Sequence, residues 1–190
     1  MDNEIKGKIK DFSSLLTEYK IEIPIIQRDY AQGRIDKKEI RENFLTSLHN
    51  ALKTDTPIKL DFIYGSIVNG NFQPLDGQQR LTTLFLLYWY IGHKEEQLVE
   101  SVKNWLSKFT YETRITSREF CHSLINQELI LNDGMTIKES IINSNWFYLS
   151  WLQDPTIDSM LRTIEHIDIC LLYTSPSPRD ATLSRMPSSA

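Results

Sequence analysis

Cysteine is scarce in this chain: Cys121 and Cys170 are the two among 190 residues. That is too few for a disulfide framework and predicts a cytoplasmic setting. Long apolar runs are also missing. The longest, Leu84 to Ile91, falls far short of the roughly 20 residues a membrane span needs, so no membrane partner is expected. The opening Met1-Asp2-Asn3-Glu4 is acidic and lacks an apolar h-region, which predicts no signal peptide. An excess of basic residues is absent as well: Lys and Arg total 21 against 25 Asp and Glu, a formal charge of -4. Contact with nucleic acid therefore needs a local patch and not a bulk field. What is present, 41% apolar, 24% charged and 11% aromatic residues, is the composition of an ordinary globular domain.

Composition is uneven along the chain. All seven Gly lie at or before Gly134, while three of the seven Pro and many Ser follow Cys170. A disordered Ser/Pro tail has that composition. Back-translated, however, Cys170 to Asp180 resembles a transposase mosaic end running into a sequencing adapter. Ser184 to Ala190 resembles the far end of the same adapter, and Ala181 to Leu183 fill a gap of index size between them. The expectation is a non-native, disordered tail over residues 170–190, with the gene continuing past Ile169. Removing Arg179, Arg185 and Asp180 with that tail takes the formal charge from -4 to -5 and leaves Cys121 as the single cysteine.

Periodicity predicts an α+β fold, a small mixed module followed by helices. Phe12, Leu15, Leu16 and Tyr19 share a helix face. Ile21-Glu22-Ile23 alternates as a short strand ending at Pro24, and Ile25 to Arg34 is a polar connector. Asp36 with Glu39 reads as a capping box opening a helix that carries Ile40, Phe44, Leu45, Leu48 and Leu52. Leu60 to Val68 is β-rich, Asn69-Gly70 signals a hairpin, and Phe72 to Leu75 returns. Gly77 to Ile91 reads as a buried helix. Beyond Gly92 the pattern is helical throughout, including Phe109. Asp154 and Pro155 form the N-cap and first residue of a last helix bearing Ile157, Leu161, Ile164 and Ile167.

Two motifs carry chemistry. Asp76-Gly77-Gln78-Gln79-Arg80 lies between a strand and the buried helix. Free N–H groups and the dipole make a helix N-terminus receptive to anions. Gly77 allows close approach, Arg80 supplies a planar fork suited to phosphate, and Asp76 could orient a metal-bound water or a sugar hydroxyl. Asp76 as N-cap with Gln79 completing a capping box accounts for the same spacing. In Ile23-Pro24-Ile25-Ile26-Gln27-Arg28-Asp29-Tyr30, Pro24 stiffens a loop. Gln27 and Arg28 could read a phosphate or a base edge and Tyr30 could stack on a base. From these residues alone, an ordinary polar loop with a partly buried Tyr30 is the favoured reading.

The Ile-Pro-x-x-Gln-Arg-x-Tyr string, Phe62 to Val68, and Asp76 to Leu84 together resemble the N-terminal domain of GmrSD-type restriction endonucleases, a ParB/sulfiredoxin-like family. Trp151 to Ile157 with Met160-Leu161 extends the resemblance over most of residues 20–169. The chain departs from the family pattern at Gln32, where an aromatic, commonly Trp, is usual, so no aromatic contact is expected there. The resemblance implies a ParB-like nucleotide-binding module over residues 1–92, continued by a helical region over 93–169. It implies an anti-phage component that binds and hydrolyses a nucleoside triphosphate, with a divalent cation, at the Asp76–Arg80 loop. It further implies recognition of DNA, modified DNA included, and a C-terminal HNH-type nuclease domain in the full-length protein. Carried over by position, Asp76, Gln78, Gln79 and Arg80 are the catalytic candidates. Gln27, Arg28, Gly77 and Arg80 bind nucleotide, and Tyr30 contacts nucleotide or DNA. Arg80 would meet the phosphates, Asp76 would position metal or water, and Gln78 or Gln79 would orient the attacking water.

Other constellations are weak. The four His show no metal-ligand spacing, so no protein metal site is expected. Cys121 and the Trp and Tyr side chains at 88–90, 105, 146, 148 and 151 read as core. Lys37, Lys38 and Arg41 read as a solvated helix face. Two other classes of function stay open. One is a non-catalytic, nucleotide-switched DNA-binding module of ParB type. The other is a sulfiredoxin-type redox enzyme, disfavoured because residues 76–80 contain no thiol.

Overall fold

The computed structural model describes residues 7–24, 29–112 and 114–172. The fold is α+β. Helix α1 (Phe12–Glu18) precedes strand β1 (Lys20–Ile23). A 3₁₀ turn (Ile35–Lys37) leads into α2 (Lys38–Thr54), followed by β2 (Gly65–Val68), β3 (Asn71–Pro74) and α3 (Gln78–Lys94). Then come α4 (Glu100–Leu106), β4 (Phe109–Tyr111), α5 (Ile115–Asn126), α6 (Ile137–Ile142), a second 3₁₀ turn (Leu149–Gln153) and α7 (Pro155–Leu172).

The sheet has the order β2-β3-β1-β4. Strands β2 and β3 are antiparallel, joined through Asn69 (φ 50°) and Gly70 (φ 81°), the two left-handed residues a type I′ turn requires. Strand β1 runs parallel to both β3 and β4. Alternation gives the sheet one apolar face: Ile21, Ile23, Phe109 and Tyr111 are buried. The other face carries Glu22, whose carboxylate accepts from Asn71 and Gln73.

Against the apolar face lies α3, buried along most of its length. Phe85 stacks on Phe109 with ring centroids 4.7 Å apart, and the Trp89 indole donates to the Leu124 carbonyl at 2.6 Å. Helix α7 packs across α3 and α2, burying Ile157, Leu161, Ile164 and Ile167. Asp154 caps it through the N–H of Thr156 at 2.8 Å, as its position before Pro155 predicts. Each such large side chain, fully buried, contributes about 1.5–3 kcal/mol of transfer free energy.

Four local expectations are corrected. The segment before Gly65 is not strand, so the β-rich stretch shortens to Gly65–Val68. Asp36 and Glu39 make no capping box: the chain enters α2 through the 3₁₀ turn, and Lys37 occupies the N-cap without a side-chain bond. Gly77, not Asp76, is the N-cap of α3, which leaves Gln79 one position short of a capping box. Phe109 begins β4 and does not end a helix, because a three-residue strand has no period of its own and is recruited by pairing with β1. Of the 170–190 segment, Cys170 to Leu172 continue α7, and residues 173–190 lie outside the described residues. No helix among the described residues is long and apolar enough to cross a membrane.

Gly77 is the sharpest backbone requirement. Its φ is +85°, and a Cβ there would stand 2.6 Å from Cγ1 of Ile63. Gly77→Ala is expected to cost about 1–2 kcal/mol from the left-handed backbone alone, and more from the Ile63 contact. Urea unfolding would measure it, and a loss under half that size would show that the loop relaxes freely.

Candidate functional site

The two motifs converge at the N-terminus of α3. Gly77 turns the chain into the helix, and the first-turn N–H groups have no acceptor within it. The Gln79 carboxamide acts as a staple. Its Oε1 accepts from the N–H groups of Ala31 (2.7 Å) and Gln32 (3.1 Å), and its Nε2 donates to the Asp29 carbonyl (3.1 Å). The loop that carries the Gln-Arg-x-Tyr motif is therefore tied to the Asp-Gly-Gln-Gln-Arg loop by one side chain. The Gln78 carboxamide is turned inward and donates to the Pro74 carbonyl at 2.6 Å.

Arg80 and Asp76 face each other one helical turn apart. Arg80 Nη2 donates to Asp76 Oδ2 (3.0 Å) and to the Phe62 carbonyl (2.8 Å). Its Nη1 meets Asp61 only as an ion pair at 3.6 Å and, although buried, makes no hydrogen bond. The guanidinium is thus oriented with donor capacity left over. Of the remaining candidates, Gln27 and Arg28 lie outside the described residues.

Tyr30 sits in the core, not on the surface. It is 2% exposed, and its hydroxyl lies between Thr83 (2.8 Å) and Thr163 (3.0 Å). Burial pushes its phenol up to about 12. The ring has no face to offer a base. It joins the loop to α3 and α7 instead. Gln32 accepts from the Thr83 hydroxyl at 2.6 Å.

Sequence reasoning missed the residues that brace this loop. Arg41 belongs to no solvated face: it is 3% exposed. It donates to the carbonyls of Gln32 (2.6 Å) and Arg34 (3.0 Å) and through Nε to His166 Nδ1 (3.2 Å). Its spacing from Leu45 and Leu48, one helical turn and two, was the available signal. Asp29 likewise pairs with Arg34 and Arg114. The aromatic residues read as core are mostly so, but Tyr148 is exposed. Cys121 is buried in apolar surroundings that raise its thiol well above the ordinary range, the opposite of what thiolate chemistry needs. Among the described residues no cluster of His, Cys, Asp and Glu could hold a metal ion.

The Arg41 contact also sets a pH dependence. His166 must present a bare nitrogen to Arg41, and burial, then the Arg41 charge, holds its imidazole below the ordinary value of 6.5. Burial lowers His49 and His93 in the same direction. For a depressed imidazole the unfolded chain binds the proton first, so stability is full above about pH 6.5 and falls on acidification towards the folded-state value. Urea midpoints should therefore drop between neutral pH and about pH 5, and His166→Asn should flatten part of that slope. A midpoint that rises over this interval would contradict the assignment.

Fold and site together define a mixed α+β domain organised around a motif-bearing loop pinned to the N-terminus of a buried helix. The family model of the GmrSD restriction endonuclease N-terminal domain matches residues 12–183, and the chain belongs to that family. The matched range runs past Ile169 into the segment that resembles an adapter. Comparison with curated proteins and with solved structures finds no match.

Proposed function

We propose that this domain binds and hydrolyses a nucleoside triphosphate at the Asp76–Arg80 loop and couples that event to recognition of DNA, modified DNA included. Cleavage would belong to an HNH-type nuclease domain elsewhere in the full-length, cytoplasmic protein. The observation that carries the reading is Arg80: a guanidinium aligned by Asp76 and Phe62, with a buried Nη1 free of hydrogen bonds, at a helix N-terminus. A phosphate oxygen satisfies that donor and is favoured by the helix dipole. Gln27 and Arg28, which directly precede the pinned Asp29, would reach the nucleotide from the neighbouring loop. A divalent cation would arrive on the triphosphate and offset its charge. Asp76 would position that ion or its bound water.

One observation favours the second reading, a non-catalytic, nucleotide-switched DNA-binding module. The carboxamides of Gln78 and Gln79 are both held in internal hydrogen bonds, so neither is at liberty to orient an attacking water. Under either reading Gln79 acts as the staple through which an occupied loop at 76–80 moves the loop at 29–32. Nucleotide turnover by the intact protein, with and without DNA, separates the two. Hydrolysis that depends on DNA and is lost in Asp76→Ala supports the first. Nucleotide binding that alters DNA affinity without turnover supports the second.

A further inference from the structure

We infer that the exposed rings of Phe62 and Tyr64 form the stacking surface for a nucleobase carried by the ligand of the Asp76–Arg80 loop. The inference rests on the reading of that loop as a phosphate site and adds the residues that hold the rest of the ligand.

Tyr30, the aromatic expected to stack, lies in the core. The segment ahead of β2 carries exposed aromatics instead. Phe62 is 87% exposed and Tyr64 61%, whereas Leu60 and Ile63 are partly buried and pack against the core. The backbone of this stretch is nonetheless fixed. The Phe62 carbonyl accepts from Arg80 Nη2 at 2.8 Å, and the Tyr64 carbonyl accepts from the N–H groups of Leu75 (2.8 Å) and Asp76 (3.1 Å). Between them Ile63 fills the space at Gly77, where its Cγ1 stands 2.6 Å from the place a Cβ would take. Folding thus holds two large apolar rings in water on a backbone bonded to Arg80 and Asp76. Such a patch, rimmed by charged side chains, is the mark of a binding surface. Its fixed backbone lowers the ordering cost when a flat ligand covers it.

The rim narrows the ligand class. Arg80 is met by two carboxylates, Asp76 at 3.0 Å and Asp61 at 3.6 Å, so charge alone gives a polyphosphate little net attraction. Stacking is indifferent to that balance. Every nucleobase has a π-face, and laying it on an exposed ring removes apolar area from water. A ligand that joins a flat heterocycle to a phosphate ester uses both the rings and the guanidinium. An inorganic phosphate uses only the second, and an apolar peptide only the first. The heterocycle belongs either to a free nucleotide or to an unpaired base of DNA.

The test uses the whole 190-residue chain, with ATP, GTP, inorganic triphosphate and a short single-stranded DNA as probes. Wild type is expected to bind at least one of the two nucleotides more tightly than triphosphate. Phe62→Ala should weaken that binding about tenfold, the scale of losing one base–aromatic stack. It should leave triphosphate binding and the unfolding midpoint as they were, and Tyr64→Ala should act in the same direction. Phe62→Trp should retain affinity and Phe62→Leu should not, which separates stacking from apolar bulk. Weakened binding of the DNA strand in both alanine variants, with nucleotide affinity intact and the salt slope unchanged, assigns the base to DNA. The inference is overturned if wild type binds neither nucleotide nor strand, or if both alanine variants bind them as wild type does. It is equally overturned if triphosphate binding falls as much as nucleotide binding, or if self-association alone changes. Loss of triphosphate binding in Arg80→Ala would then still leave the Asp76–Arg80 reading standing. Nucleotide binding that depends on Phe62 but not on Arg80 would overturn that reading and keep this one.

Discussion

On the proposed reading, Arg80→Ala is expected to lower nucleotide turnover by the intact protein about 10²–10³-fold, the usual loss when one preorganised donor to developing charge is removed. Arg80 stands at the N-terminus of α3 with its orientation set from two sides, by the Asp76 carboxylate and the Phe62 carbonyl. It also has a structural share, because the Phe62 carbonyl loses its donor. Arg80→Lys separates the two: it keeps the charge but not the planar fork, so it should restore folding stability and some nucleotide affinity while turnover stays low. Turnover near the wild-type rate in a folded Arg80→Ala variant would remove this loop from the chemistry.

The second large effect is on stability. Tyr30→Ala should cost about 3–5 kcal/mol, the range for emptying a fully buried aromatic site. That is a large fraction of the 5–15 kcal/mol typical of a whole domain. Tyr30→Phe should cost only about 1 kcal/mol. The two threonine hydroxyls keep other partners, Thr83 with Gln32 and the Gln79 carbonyl, Thr163 with the Ser159 carbonyl. Thermal unfolding of the pair gives both numbers. Nucleotide and DNA affinity should survive Tyr30→Phe unchanged. A folded Tyr30→Phe variant that no longer binds either would return the tyrosine to a contact role.

The two halves of the candidate site differ in how legible they were. The Asp76–Arg80 motif announces itself because a glycine, a charge and a helix start stand in consecutive positions, and the structure places Arg80 and Asp76 together as i and i+4 neighbours. The spacing misleads on capping. Asp76 and Gln79 satisfy the pattern of a capping box, yet Asp76 turns to Arg80 and Gln79 crosses to a loop some fifty positions earlier in the chain. Asp36 and Glu39 mislead in the same way, because Arg41 draws the Gln32 and Arg34 carbonyls onto the start of α2 and thereby fixes how the chain enters it. Strand β4 was hidden for a different reason: it exists by pairing with β1 and has no pattern beyond one alternation.

The sequence by itself determined the parts governed by neighbours in the chain: the Asn69-Gly70 hairpin, the apolar faces of α3 and α7, the Asp154 cap, the family and the motif loop. On α2 the expected face held only in its middle, since Ile40 and Leu52 are exposed and Arg41 is buried. Only the tertiary structure decided what those residues do with one another. It buried Tyr30 and Arg41, turned Gln79 into the staple between the two motifs, and set Arg34 and Arg114 on one carboxylate. The physical reason is the range of the forces involved. Backbone preference and amphipathic period act over a few residues and can be read along a line. A polar side chain inside a fold, by contrast, must find whichever donor or acceptor the packing of distant elements brings within about 3 Å.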